Sequence, residues 1–116
     1  MTILDTSVTV DKAKSKKPIN KDITAVTLVE FPRIVYYKLF SGRVIFPIRH
    51  DFILAHRLQL GLLELGKPQA LSDLLVASIA INRDEELITR DRDLKLISNV
   101  TKRLGYEIKL TLKQPI

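Results

Sequence analysis

Five carboxylates stand where chemistry could be done with them: Asp5, Glu30, Asp73, Asp91 and Asp93. Asp5 closes the apolar run Thr2 to Leu4, Glu30 follows the β-branched run Ile23 to Val26, and Asp91 and Asp93 follow Leu87 to Thr89. Asp73 opens an almost wholly aliphatic segment, Leu74 to Arg83. Ligands of open α/β sheets bind beyond the carboxyl ends of parallel strands, so these acids meet at one rim if the runs are neighbouring strands. Taken singly, each has a simpler role. Asp5, Asp73 and Asp91 suit helix caps, worth about 0.5–2 kcal/mol, and Thr27-Leu28-Val29-Glu30 matches a capping box. Capping is served equally well by Ser, Thr or Asn, however, whereas this rim would receive only carboxylates. Two unit charges about 5 Å apart repel by roughly 3 kcal/mol at an effective dielectric near 20. Such a cluster must protonate or bind a cation. Oxygen donors without His or Cys select a hard ion such as Mg²⁺ or Mn²⁺. Beside a basic surface, a hydrated divalent ion suggests phosphodiester hydrolysis, because it lowers the pKa of an attacking water and stabilises the pentavalent phosphate.

The elements that must position these acids can be read along the chain. Short strands are expected at Thr2 to Leu4, Ile23 to Val26, Arg43 to Ile48, Leu87 to Thr89 and Tyr106 to Leu112, with Pro47 confining the third to an end or an edge. Helices are expected from Thr27 to about Phe40, with Pro32 in an early turn, from Asp51 to Leu65, from Leu74 to Arg83 and from Arg92 to Leu104. Ser41-Gly42, Gly66 and Gly105 supply stops. Asp11 to Asp22, with five lysines around Pro18, reads as a solvated, mobile connection. Alternation of strands and helices predicts a mostly parallel central sheet covered by helices, since parallel neighbours need crossovers.

Composition bounds the function classes. The 116 residues suit one domain, 1–116, with 113–116 as a frayed tail, and 46% apolar residues suffice for a core without staples. No cysteine is present, which excludes a disulfide framework, a cysteine zinc site and a thiol nucleophile and suits a reducing cytoplasm. The longest charge-free apolar stretch, Leu74 to Asn82, is far shorter than the roughly 20 residues of a membrane span. A net charge of +6 makes RNA or DNA a plausible partner.

The residues then resemble a known family. Ile3-Leu4-Asp5-Thr6-Ser7, Thr27-Leu28-Val29-Glu30, Gly66-Lys67-Pro68 leading to Ser72-Asp73-Leu74-Leu75-Val76-Ala77, and Leu87-Ile88-Thr89-Arg90-Asp91-Arg92-Asp93 occur in the order found in PIN-domain ribonucleases of the VapC toxin type. The resemblance implies a PIN-like α/β domain with helices on both faces of the sheet. It further implies an Mg²⁺- or Mn²⁺-dependent endoribonuclease whose metal is held by Asp5, Glu30, Asp73 and Asp91, with Asp93 as a more variable accessory acid and Ser7 and Thr89 supporting the site. A homodimer and a small antitoxin that inserts into the groove are implied in the same way. Against the family pattern, Val10 to Lys21 and the region after Phe40 are short, and Pro32 sits close to Glu30.

Other residues offer less. His50 and His56 are six apart and do not share a helix face as paired ligands would. Arg90 and Arg92 suit contacts to RNA phosphates or pairing with Asp91 and Asp93. The lysines from Lys12 to Lys21 suit a solvated loop or an RNA contact, Tyr36 and Tyr37 suit burial better than base stacking, and Leu58 to Leu65 suits core or a dimer seam. Two further function classes remain open at this point. One is a non-catalytic nucleic-acid-binding or regulatory module. The other is a receiver-like signalling domain, which expects a paired acid beside Asp5 and a late lysine that are absent here.

Overall fold

The computed structural model describes residues 1–113, so the expected tail lies outside the described residues except for Lys113. The elements run β1 (Thr2–Leu4), α1 (Thr6–Lys14), β2 (Ile23–Thr24), α2 (Ala25–Glu30), a 3-10 turn (Pro32–Tyr36), β3 (Val44–Ile45), α3 (Arg49–Glu64), α4 (Leu71–Arg83), β4 (Glu86–Thr89), α5 (Asp93–Arg103) and β5 (Leu110–Leu112). Every pairing among the described strands is parallel: β1 with β4, β4 with β5, and β2 with β3. A bridge from Ile3 to Asp22 joins the two pieces in the order β3-β2-β1-β4-β5. Three apolar runs widely spaced in sequence thus end side by side.

Successive strand residues point to opposite faces, and each face finds its own cover. Ile3 and Leu87 pack with residues of α3, α4 and α5, among them Leu58, Leu62, Ile79, Leu94 and Ile97. Leu4 turns the other way, onto Val8 of α1, Ile19 and Ile34. Helices therefore cover both faces, as the alternating order requires. Helix α4 is buried from Leu74 through Ala80, in keeping with its aliphatic sequence. It ends at Asp84 in a left-handed conformation (φ 53°). Asp51 ties the start of α3 to the end of α4 by accepting hydrogen bonds from the Ile48 N–H and from Asn82.

Four expectations need correction. The connection from Asp11 to Asp22 is helix as far as Lys14, and beyond it Ile19 is buried in the core. The second strand stops at Thr24, because the chain enters α2 at Ala25. The helix expected from Thr27 to Phe40 breaks at Phe31 (φ −131°, ψ 69°), as the residue before a proline is driven out of the helical region. Pro32 then starts only a 3-10 turn. Thr27 lies inside α2 and is not its cap, so no capping box joins it to Glu30.

Candidate metal centre

The acids gather where the strands end. Asp5 follows β1 directly, is buried, and caps α1 by accepting the Thr6 N–H at 2.9 Å. Its other oxygen accepts the Thr89 hydroxyl at 2.7 Å, at the end of the neighbouring strand β4. That same hydroxyl oxygen accepts the Asp91 N–H at 2.9 Å, and Asp91 in turn accepts the Asp93 N–H at 2.9 Å as α5 begins. One threonine thus fixes both the buried carboxylate and the turn that carries two more. Asp73 reaches the rim from the first turn of α4. Carboxylate oxygens of Asp73, Asp91 and Asp93 lie within 4.8 Å of one another.

Glu30 closes α2 and is exposed. It accepts the Thr6 hydroxyl at 2.7 Å, and Thr6 also shares a 2.8 Å hydrogen bond with Thr27. With Pro32 two residues away, Glu30 is still turned toward α1 by the Thr6 hydroxyl. Neither Asp5 nor Glu30 belongs to the trio that lies within 4.8 Å, yet both are near enough to act on it electrostatically. The Asp73 carboxyl is pushed up to about 7, first by burial and then by the charges of Asp91, Asp5, Asp93 and Glu30. Burial raises Asp5 as well; the Thr89 and Thr6 hydrogen bonds oppose this, and Asp91 and Glu30 add to it. All five acids singled out in the sequence act on one locus. Two capping roles coexist with that clustering: Asp5 caps α1, and Asp91 takes an N–H at the start of α5.

A donor set of carboxylate oxygens without His or Cys fits a hard divalent cation. The trio also has the stiff outer support that metal sites use, through Thr89.

Several neighbours differ from expectation. The Ser7 hydroxyl accepts the Arg90 N–H at 3.3 Å and so steadies the turn after β4, whereas the hydrogen bonds to Asp5 come from Thr6 and Thr89. Arg90 pairs with Asp11 of α1, not with Asp91 or Asp93. Arg92 is exposed. Tyr36 is 82% exposed, against the burial expected, while Tyr37 is partly buried and donates to the Lys17 carbonyl. The Leu58 to Leu65 segment divides, with Leu58 and Leu62 in the core and Leu60 and Leu63 outside it. Both histidines are exposed. Sequence reading missed Thr6 as a partner of Glu30. Its place between Asp5 and Ser7 was the only signal, because its partner is 24 residues away.

Along nearly its whole length the chain is similar to solved VapBC structures. A chain of VapBC2 from Rickettsia felis, bound to a DNA fragment from their promoter, superposes with a TM-score of 0.71 at 17% identity, covering 97% of this chain and 98% of that one. The fold is PIN-like. VapBC-1 from nontypeable Haemophilus influenzae gives a TM-score of 0.68 at 14% identity, covering 96% of both chains. DNA-bound VapBC from Salmonella typhimurium gives 0.67 at 16%, covering 95% of this chain and 96% of that one. No family model matches the sequence, and no curated protein does. At such identities the likeness is one of fold, and it spans the PIN-like chain from end to end. No helix among the described residues is long and apolar enough to cross a membrane.

Proposed function

We propose that this PIN-like chain is a divalent-metal-dependent endoribonuclease and the toxin half of a toxin–antitoxin pair, acting in the cytoplasm as a single domain. The observation that carries the reading is the trio Asp73, Asp91 and Asp93, whose oxygens converge within 4.8 Å while Asp73 is pushed up to about 7. Carboxylates brought together and half-buried in this way are stabilised by a cation. Asp73, Asp91 and Asp93 would hold Mg²⁺ or Mn²⁺, with Asp5 and Glu30 completing the negative rim. When bound, such an ion lowers the pKa of an attacking water and stabilises charge building on a phosphate.

The chain's own residues do the rest. Thr89 locks Asp5 and the Asp91 turn in fixed relation. Thr6 orients Glu30 at the mouth, where an exposed carboxylate can take a proton from water. Arg92, exposed next to Asp91, offers a fork to a phosphate oxygen.

The partner reading rests on the VapBC complexes that the chain resembles. An apolar groove lined by Val26, Val29, Pro47, Leu71 and Leu75 opens beside Glu30 and suits an antitoxin segment laid against the acids. Exposed Leu60 and Leu63 suit a homodimer seam.

The test is cleavage of single-stranded RNA by the purified chain with Mg²⁺ or Mn²⁺ and with chelator. Wild type cleaves only with the ion. Because loss even of an outer partner of a metal site costs about 10–100-fold, Asp73→Asn and Asp91→Asn each reduce the rate by at least about 100-fold. Metal-independent cleavage, or wild-type rates in both variants, overturns the reading.

A further inference from the structure

A cavity of about 280 Å³ lies beside the acidic rim, between α1 and the carboxyl ends of β4 and β5. Val8 forms part of its wall, and Lys12, Lys17, Lys113, Arg90 and Asp11 line it. Four cations thus face one carboxylate, and that carboxylate is already paired with Arg90. The cavity also receives the carboxyl end of α1, through Ser15. A helix end carries about half a negative charge, which a single cation satisfies. Three lysines are more than the helix requires. Their crowding is felt, since the Lys12 ammonium is pulled below its ordinary value, first by burial and then by Lys113, Lys17 and Lys21. An anion placed among them would relieve that repulsion.

The cavity is wired to the acids through very little chain. Arg90 stands between Thr89, which holds Asp5, and Asp91 of the trio, and its N–H rests on Ser7. Lys113 comes from the adjacent strand end, where its N–H donates to the Thr89 carbonyl at 2.7 Å. A strand of nucleic acid that brings one phosphate to the acids can therefore run over Arg90 to the lysines. We propose that this cavity is a phosphate subsite, formed by Lys12, Lys17, Lys113 and the Asp11-braced Arg90, that grips a backbone phosphodiester of the RNA strand away from the bond to be cut. The identity of the strand rests on the nuclease reading above; the affinity for its phosphate does not.

Binding of a single-stranded RNA oligonucleotide, measured in chelator so that no divalent ion takes part, tests the subsite. The triple variant Lys12→Gln, Lys17→Gln, Lys113→Gln is compared with the control Lys102→Gln, Arg103→Gln, whose two exposed residues sit at the end of α5 remote from Asp93. The subsite variant binds roughly five- to tenfold more weakly at 0.1 M salt, and its slope of log affinity against log salt falls by about 0.7 for each phosphate that the removed lysines had neutralised. The control keeps the wild-type slope. Equal losses in both variants mean that the basic charge acts only at long range, and the proposal falls. It falls also if the wild type binds inorganic phosphate and the subsite variant does not while the two bind RNA equally, because the cavity is then a site for a small free anion. RNA bound through these lysines without any metal-dependent cleavage sinks the nuclease reading and leaves the subsite standing. Cleavage with unchanged RNA binding in the triple variant does the reverse.

Discussion

Thr89 does more for the acidic rim than any carboxylate does for itself. Its buried hydroxyl donates to Asp5 and accepts from the Asp91 N–H, joining the ends of two neighbouring strands. Thr89→Val keeps the shape and removes both bonds, leaving a buried carboxylate oxygen unmet at a cost of about 1–3 kcal/mol. On the proposed reading the same change weakens metal binding by about 10–100-fold, which calorimetric titration would measure. Asp73 sets a pH dependence whose sign follows from its shift. Its folded value near 7 stands above the ordinary 3.8, so between those values the folded chain binds more protons than the unfolded one. Stability in chelator therefore declines as pH rises from about 4 to 7, and Asp5, also raised, acts in the same sense. Asp22 acts oppositely, since its hydrogen bonds and ion pair with Arg43 hold it below its ordinary value despite burial, so the informative quantity is the difference between variants. In thermal melts Asp73→Asn gains on wild type as pH goes from 5 to 8, by about 4 °C for each kcal/mol that burying and crowding the Asp73 charge had cost. At this scale the gathering of Asp5, Asp91 and Asp93 was legible from their place just after strands, and that of Asp73 from the start of its aliphatic helix. Their supports were not, because Thr6 meets Glu30 and Arg90 meets Asp11 only across the fold, 24 and 79 residues apart in sequence.

At the scale of elements, the approach of β2 to β3 depends on a glycine. A Cβ on Gly42 would stand 1.7 Å from the Lys21 carbonyl oxygen, a backbone atom just before β2. Neither side can yield without disturbing the Ile23 N–H to Arg43 carbonyl bond that starts the pairing. Gly42→Ala therefore costs about 3 kcal/mol, at the upper end of overpacking penalties, and denaturant unfolding should show it while the trio of acids stays in place. The sequence marks Ser41-Gly42 as the end of a helix, and the structure gives that glycine a steric duty instead. Strands were legible where β-branched runs stop at a charge, as Thr2–Leu4 and Glu86–Thr89 do, and α3, α4 and α5 were legible from apolar spacing closed by Gly66, Asp84 and Gly105. Helix α1 was not, because a lysine-rich helix that buries only Val8 and Thr9 leaves almost no apolar period to detect. Helix α2 was misread for the opposite reason, since its first residues continue a β-branched run that looks like strand.

For the molecule as a whole, a divalent ion that binds only the folded chain must raise its stability, by about 2.7 kcal/mol at a hundred times the dissociation constant. Titration with Mg²⁺ or Mn²⁺ should lift the melting temperature of wild type and leave Asp91→Asn almost unmoved; an equal response in both would place the ion elsewhere. The parallel pairing of β1 with β4 has a consequence for how the protein is made. Thr89 and Asp5 are 84 residues apart, and at roughly 5–20 residues per second a ribosome needs about 4–17 s to travel between them. For that interval the nascent polypeptide carries Asp5 without the hydroxyl that fixes it, and the trio is complete only once Asp93 has been added. On the proposed reading, a product that terminates before Asp93 lacks a complete metal trio and therefore leaves RNA uncut.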